Sequence, residues 1–292
     1  MSKLKAKKIL GKAALILLLC FVAIIMVLPF YWSVLTSLRP DKEIFKIPIE
    51  WLPKSITFDH YRRVFEVFPF FKYFCNTLII TVSGLLSNLL FGSLAGYAFA
   101  KLSFKGRNLI FKLMLMTLML PGVVILIPQF LVLKNFPLAG GNNLFGQGGT
   151  GFIDSFLGVI LPGAIGVYGI FFMRQFFLTL PNDLGESARV EGAGECTIFA
   201  RVYLPLVKPA LASLAIFGFQ GGWNNFLWPN IILQDPDKKV LTMGLQAFTF
   251  NNYAEYGPMM AASVLICIPV FLVFIFFQKY FVQGVALSGM KE

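Results

Sequence analysis

Residues 186–209 read Glu-Ser-Ala-Arg-Val-Glu-Gly-Ala-Gly-Glu-Cys-Thr-Ile-Phe-Ala-Arg-Val-Tyr-Leu-Pro-Leu-Val-Lys-Pro. This polar segment stands between two long apolar ones. A chain that is mostly greasy has little reason to hold so specific a polar stretch unless something docks there. Working outward, 57% of the 292 residues are hydrophobic and 13% charged, with a mean hydropathy of +0.75. That balance excludes a soluble globular protein. A bilayer core about 30 Å thick needs roughly 20 apolar residues per helix. Six uncharged stretches meet that length: 13–35, 73–100, 113–133, 155–173, 209–234 and 256–278. A further uncharged stretch, 135–153, is rich in Gly and Asn and reads as a loop. The pattern predicts an all-α polytopic membrane protein, six transmembrane helices in one domain over 1–292.

The first stretch follows Lys3, Lys5, Lys7, Lys8 and Lys12, which resembles the basic start of a signal peptide. However, its apolar run is long and ends in Pro29-Phe30-Tyr31-Trp32 instead of small residues. Aromatics at that point suit a membrane-interface belt, so a retained helix is expected. Cys20, Cys75, Cys196 and Cys267 lie singly. Their spacing suggests neither zinc nor a redox pair, and they read as small buried apolar residues.

The net charge of +11 invites a nucleic-acid reading, so its distribution decides. With the N-terminus cytoplasmic, inner segments hold the five N-terminal lysines and Lys101, Lys105, Arg107, Lys112, Arg174, Arg189, Arg201, Lys208, Lys279 and Lys291. Only Asp183, Glu186, Glu191, Glu195 and Glu292 oppose them. The outer segments 36–72, 134–154 and 235–255 are nearly balanced. This is the positive-inside pattern. The charge orients the chain and attracts anionic membrane lipid; no nucleic-acid partner is required. The polar segment then faces the cytoplasm.

Within that segment, Asp183 through Ala193 reads as a short helix, with Asp183 and Glu186 at capping-box spacing. Gly192 and Gly194 should bend the chain, and a second short helix should run from Glu195 to about Tyr203, stopped by Pro205 and Pro209. Ala188 and Gly192, four apart, leave one helix face bare, which lets another backbone approach closely.

Glu186, Ala188, Gly192, Leu204 and Pro205 fall in register on the pattern Glu-Ala-Ala, three residues, Gly, nine residues, Ile, one residue, Leu-Pro. Ser187 replaces an Ala and Val202 the Ile. The stretch, about 178–208, resembles the EAA loop of binding-protein-dependent ABC importer permeases, and the chain most resembles the carbohydrate-uptake permeases of the maltose-transporter MalG type. Asn76-Thr77-Leu78, Ala95-Gly96-Tyr97-Ala98-Phe99-Ala100 and Trp223-Asn224-Asn225-Phe226-Leu227-Trp228-Pro229 support that likeness. The resemblance implies the type I importer permease fold, with coupling helices seated in a cleft of an ATPase subunit. Their docking surface would comprise Glu186, Ser187, Ala188, Arg189, Gly192, Ala193, Ile198, Phe199, Leu204 and Pro205. The glutamate would pair with a basic residue of that subunit, while Ala188, Ala193, Ile198 and Phe199 would supply packing. The implied partners are a second homologous permease, two ATPase subunits, an extracytoplasmic solute-binding protein and an oligosaccharide, at a bacterial cytoplasmic (inner) membrane. Pro137–Phe152 is longer than that family's pattern leads one to expect, and reads as a lid or docking loop for the external binding protein.

The chain contains no Walker motif, so no cofactor is expected in it; ATP and Mg belong to the partner ATPases. The six stretches carry no Asp, Glu, Lys, Arg or His, whereas a proton-coupled carrier generally keeps ionisable groups inside its helices. Sugars are recognised by aromatic faces and amides, which Gln220, Trp223, Asn224, Asn225 and Trp228 could supply; interface anchoring and interhelix hydrogen bonding explain them equally well. The resemblance further implies that Asn251, Asn252, Tyr253 and Gly257, in the last outer loop, contact the binding protein. His60, the single histidine, reads as an ordinary outer-loop residue. Seven basic residues over 36–72 leave acidic cargo such as alginate fragments open. Amino acids, peptides or a polyol phosphate are alternative cargoes, and an ion-coupled secondary carrier or a membrane-embedded enzyme is the alternative class.

Overall fold

The computed structural model describes residues 2–250 and 253–289, with side-chain surroundings for 8–250 and 253–279. It forms two compact units. One comprises the chain up to Phe70 with Gly244–Ile268; the other comprises Phe71–Met243 with the chain from Pro269 onward. Every long element is a helix, and one isolated bridge, Thr249 to Ala254, is the extended pairing among the described residues.

In the first unit, α1 (Ser2–Ser37) is apolar all round from Ala13, exposed from Lys8 to Tyr31 and buried at Leu35–Ser37. A helix of that kind is stable only in hydrocarbon or a large core. After it come α2 (Asp41–Ile44) and α3 (Asp59–Val67). Buried Arg39 donates to the Glu50 carbonyl and lies 5.7 Å over the Trp32 ring, tying the 38–52 segment to the end of α1.

The second unit begins on α4 (Phe70–Lys101). At about 1.5 Å per residue its 32 residues are longer than the hydrocarbon thickness. At one end Asn76 Nδ2 donates to the Asp237 and Lys239 carbonyls, both at 2.9 Å, and Thr77 Oγ1 accepts from the Leu241 N–H at 2.9 Å. The Asn76-Thr77 pair thus pins the connection before α14 (Leu241–Gly244). At the other end, Gly96 brings α4 against α8 (Val167–Thr179). A Cβ there would stand 2.8 Å from Met173 Cβ and 2.9 Å from the Arg174 nitrogen.

Four of the six expected stretches are continuous candidate spans, and the other two are broken. Four helices are long and apolar enough to cross a membrane, or up to six if two bent pairs, Arg107–Thr117 with Gly122–Lys134 and Glu195–Leu206 with Lys208–Trp223, each count as one span. The stretch predicted as 113–133 is α5 (Arg107–Thr117) and α6 (Gly122–Lys134), bent by 106°. Pro121 causes the break, since its ring forces Leu120 away from helical geometry. The helix α7 (Phe156–Ala164) continues into α8 as a single 24-residue candidate span. The stretch predicted as 209–234 is α12 (Lys208–Trp223) and α13 (Leu227–Ile232), interrupted at Asn224–Phe226. With 16 residues, α12 alone reaches about 24 Å, short of a bilayer core. The last span, α15 (Tyr256–Gly289), carries Pro269 inside it.

Candidate functional site

The polar segment folds as an elbow. Its first arm is α9 (Asp183–Val190). The Gly192 N–H donates to the Arg189 carbonyl at 3.0 Å, and the Ala193 N–H reaches back to the Ala188 carbonyl at 2.9 Å. These two bonds are the Schellman closure of a helix, which needs a left-handed residue just beyond the cap. Gly192 supplies it with φ +85°, and no atom lies within 4 Å of where its Cβ would be. The second arm is α10 (Glu195–Thr197), a π-helical turn over Ile198–Tyr203, and α11 (Leu204–Leu206). The widened turn precedes Pro205, which has no N–H to give. The arm therefore runs past Pro205, where a stop was expected. It ends at Val207, ahead of Pro209, and α12 leaves at 79°.

The elbow is fixed from below. Tyr97 and Phe177 pack beneath it with Ile198, Phe199 and Tyr203, all buried. The Tyr97 ring sits 5.3 Å from Phe199 and 5.5 Å from Tyr203. The two arms are joined by charge: Arg189 Nε donates to Glu195 Oε1 at 2.6 Å, and the Tyr97 hydroxyl donates to Glu195 Oε2 at 2.8 Å. At the entry to α9, Lys101 Nζ donates to the Leu180 carbonyl at 2.6 Å and to Asn182 Oδ1 at 2.7 Å. The Tyr203 hydroxyl donates to the Pro181 carbonyl at 3.1 Å and accepts from the Gly185 N–H at 3.2 Å.

This geometry revises several expectations. Asp183 does not cap α9. It occupies the first turn, where a carboxylate still favours the helix dipole, while Asn182 stands at the cap position without a side-chain cap bond. Glu186 is exposed and makes neither a cap bond nor an ion pair among the described residues. Ile198 and Phe199 do not offer an outward packing surface, because the widened turn rotates them into the core, at 0% and 9% exposure. Ala188, Ala193 and Leu204 are half-buried, whereas Ser187, Arg189, Gly192 and Pro205 are exposed. The outward face also carries Val190, at 89% exposure, which the spacing argument overlooked. Cys196 is exposed on this elbow, Cys20 and Cys75 are exposed too, and Cys267 is half-buried, so the buried-cysteine reading fails.

A cavity of ≈ 430 Å³ opens in the second unit between the middle of α4, the α7–α8 junction and α12. Its polar side chains are Thr81, Asn88, Tyr168 and Asn225. Asn88 is wedged between Gly166 and Gly169, where any Cβ would collide with its amide. Of the five sugar-contact candidates, Asn225 alone lines this cavity. Trp223 is fully buried and stacked on Phe219 at 5.4 Å, and Trp228 gives its indole N–H to the Gly158 carbonyl at 3.1 Å. Both indoles are structural. Gln220 and Asn224 are exposed away from the cavity walls. Thr81 and Asn88 carry no sequence signal beyond being polar residues in an apolar span.

The glycine-rich segment is a compact, internally bonded loop. Asn142, 6% exposed, donates to the Lys134 carbonyl at 2.8 Å and accepts from the Gly149 N–H at 2.8 Å. Asp154 closes the loop: Oδ1 accepts from the Gln234 and Asp235 amides, both at 3.0 Å, and Oδ2 from Lys238 at 2.8 Å. Burial alone would raise the Asp154 carboxyl, but Lys238 and the two amides hold it below the ordinary range. In the first unit, Tyr253 is exposed and stacked on Phe250 at 4.6 Å. Asn251 and Asn252 lie outside the described residues. Gly257 is buried under the His60 ring, with no room for a Cβ, so it is a packing glycine and not a contact surface. His60 itself is buried, its Nε2 2.6 Å from the Arg39 carbonyl, and serves as a keystone of this unit.

Apolar helices around a cavity without ionisable lining residues, with a polar elbow exposed beside them, define a class: the helical membrane subunit of a transporter. A family model described as binding-protein-dependent transport system inner membrane component matches residues 88–287, and the chain belongs to that family. It is 36% identical over 283 residues to the arabinooligosaccharides transport system permease protein AraQ of Bacillus subtilis (strain 168), covering 96% of each chain. It is 34% identical over 276 residues to the diacetylchitobiose uptake system permease protein NgcG of Streptomyces coelicolor, covering 94% of this chain and 87% of that one. Among solved structures, a chain of a bacterial ABC transporter involved in the import of the acidic polysaccharide alginate superimposes with a TM-score of 0.79 at 26% identity. That match covers 94% of this chain and 98% of the other.

Proposed function

We propose that this chain is one of two permease subunits of an ATP-driven importer that takes an oligosaccharide from an extracytoplasmic solute-binding protein across a bacterial cytoplasmic membrane. The N-terminus and the elbow face the cytoplasm, as the distribution of Lys and Arg supports. The elbow is the coupling element, docked in the ATPase subunit. The observation that carries this is the closure at Gly192, which leaves empty space beside a bare backbone on a rigid polar surface between two spans. Unpaired Glu186 beside it suits a basic partner group; such rim charges set specificity more than affinity.

In this mechanism ATP and Mg bind only in the two partner ATPases. Closure of the ATPase dimer pushes the elbow, and the Tyr97–Glu195–Arg189 bridge passes the displacement to α4. The two permeases then turn outward as rigid bodies and accept the sugar. The relatives named for arabinooligosaccharides and diacetylchitobiose support a saccharide cargo. The test is to co-express the chain with its partner permease, ATPase and binding protein, purify the assembly and measure ATP hydrolysis with a sugar panel. Stimulation by one loaded binding protein is expected. Sugar accumulation in cells lacking every such ATPase would overturn the reading.

A further inference from the structure

The loop that follows α1 carries a feature that the transport reading does not use. Between residues 45 and 58 the first unit exposes a run of large apolar side chains. Ile47 is 89% exposed, Leu52 76% and Phe45 71%, with Ile49, Trp51 and Ile56 each more than half exposed. So dense an apolar surface marks a contact with membrane or protein. The loop is not slack. The Thr57 N–H donates to the Leu38 carbonyl at 2.9 Å and closes it at the base. Buried Arg39 donates to the Glu50 carbonyl, and Ser55 Oγ donates to Glu43 Oε1 at 3.1 Å.

Contacts at two points set the depth of this loop. The Tyr31 hydroxyl donates to the Trp51 carbonyl, and the Trp51 ring meets Trp32 edge-on at 6.2 Å. Tyr31 and Trp32 lie near the end of the apolar run of α1, where aromatic side chains sit at headgroup level. Phe45 meets Tyr256 edge-on at 5.1 Å, and Tyr256 is the first residue of α15, a second candidate span. The loop therefore bridges the ends of two membrane helices and lies at the bilayer surface. Its charges are drawn together, with Lys54 Nζ 2.7 Å and Lys46 Nζ 3.9 Å from Glu50 Oε1. Elsewhere the same unit is strongly polar. A cavity of ≈ 780 Å³ is lined by Asp41, Asp59, Arg62, Arg63, Glu66 and Glu255 among others, and charges of that kind belong in water.

We propose that residues 45–58 form a hook whose apolar side chains enter the headgroup–acyl boundary of the outer leaflet, about 5–10 Å deep, as interfacial segments do. The hook pins the ends of α1 and α15 at one depth. Its occupant is phospholipid, because the span ends at Trp32 and Tyr256 place lipid along the loop, and because the apolar face continues that of exposed α1. The proposal goes beyond the importer reading and takes from it only which leaflet is the outer one.

The test uses the full chain in proteoliposomes, alone and in the assembled importer, with Cys20, Cys75, Cys196 and Cys267 replaced by Ser. An environment-sensitive fluorophore is placed on Ile47→Cys, Leu52→Cys or, as the water-facing control, Arg62→Cys. Lipids carry a nitroxide quencher on the headgroup, high on the acyl chain, or at the chain end. Ile47→Cys and Leu52→Cys should show blue-shifted emission and lose most fluorescence to the quencher high on the chain; Arg62→Cys should not. In the chain with its native side chains, brominated lipid should quench tryptophan emission more than in Trp51→Phe. Quenching at Ile47 and Leu52 no stronger than at Arg62, with equal tryptophan quenching in Trp51→Phe, would overturn the hook. So would quenching that vanishes when the partner permease or binding protein assembles, since protein would then cover the patch. Removal of the Leu52→Cys signal by an impermeant reductant acting only from the cytoplasmic side would overturn the orientation in the importer reading, and with it the leaflet assigned here.

Discussion

Gly192 offers the sharpest perturbation, because the structure separates two costs that a substitution there incurs. The first is conformational. At φ +85° an L-residue costs about 1–2 kcal/mol, somewhat less for Asn. That is roughly a 5- to 30-fold shift against the closed elbow. The second is steric, and within this chain it is nil, since no atom lies within 4 Å of the added Cβ. Any further loss must arise against a partner. The two costs predict opposite orders: strain alone makes Asn milder than Ala, whereas an occupied cleft makes Ala milder than the larger Asn. The docking account predicts Ala above Asn above Asp, with Gly192→Asp abolishing sugar uptake at normal membrane insertion. The assay is retention of the ATPase on the tagged permease, measured beside uptake and membrane abundance. Asn at or above Ala in both readouts, or normal transport by Gly192→Asp, would refute the reasoning.

Other predictions address the scaffold. Gly96→Ala should cost about 1–3 kcal/mol, as overpacking does, because its Cβ would meet Met173 and the Arg174 backbone at under 3 Å; the melting temperature of the purified chain in detergent reports it. Gly257→Ala should destabilise the first unit by pushing on His60, and adding His60→Ala should recover part of the loss, a coupling that a double-mutant cycle measures. The Asp154 carboxyl is held low in the folded chain. Its contribution is therefore complete above the ordinary aspartate value of about 4 and lost as pH falls through the lowered one. Hydrogen exchange of the Gln234 and Asp235 amides should be flat from pH 8 to 5 after correction for intrinsic rates, and Asp154→Asn should remove the acid-side drop in protection.

The sequence made some of this legible and concealed the rest for identifiable reasons. Helix lengths and charge asymmetry are written in composition, so the spans and the polar elbow could be read directly. Gly192 was readable as a bend because it and Gly194 follow a short helical pattern, where glycine commonly closes a helix. The inward rotation of Ile198 and Phe199 was not, since a π-helical turn changes which residues share a face. Trp223 and Trp228 looked like sugar platforms because composition cannot tell that an indole N–H finds the Gly158 carbonyl 70 positions away. Pro121 was visible, yet the apolar run around it hid the 106° bend it causes.

Cys196, exposed on the elbow, permits the most direct measurement of the central claim. With Cys20, Cys75 and Cys267 replaced by Ser, a membrane-impermeant maleimide is applied to right-side-out and inverted vesicles, with and without the bound ATPase. Labelling in inverted vesicles only, and its suppression when the ATPase is docked, is the predicted result. Labelling from the outer face, or full reactivity beneath a bound ATPase, would contradict the account.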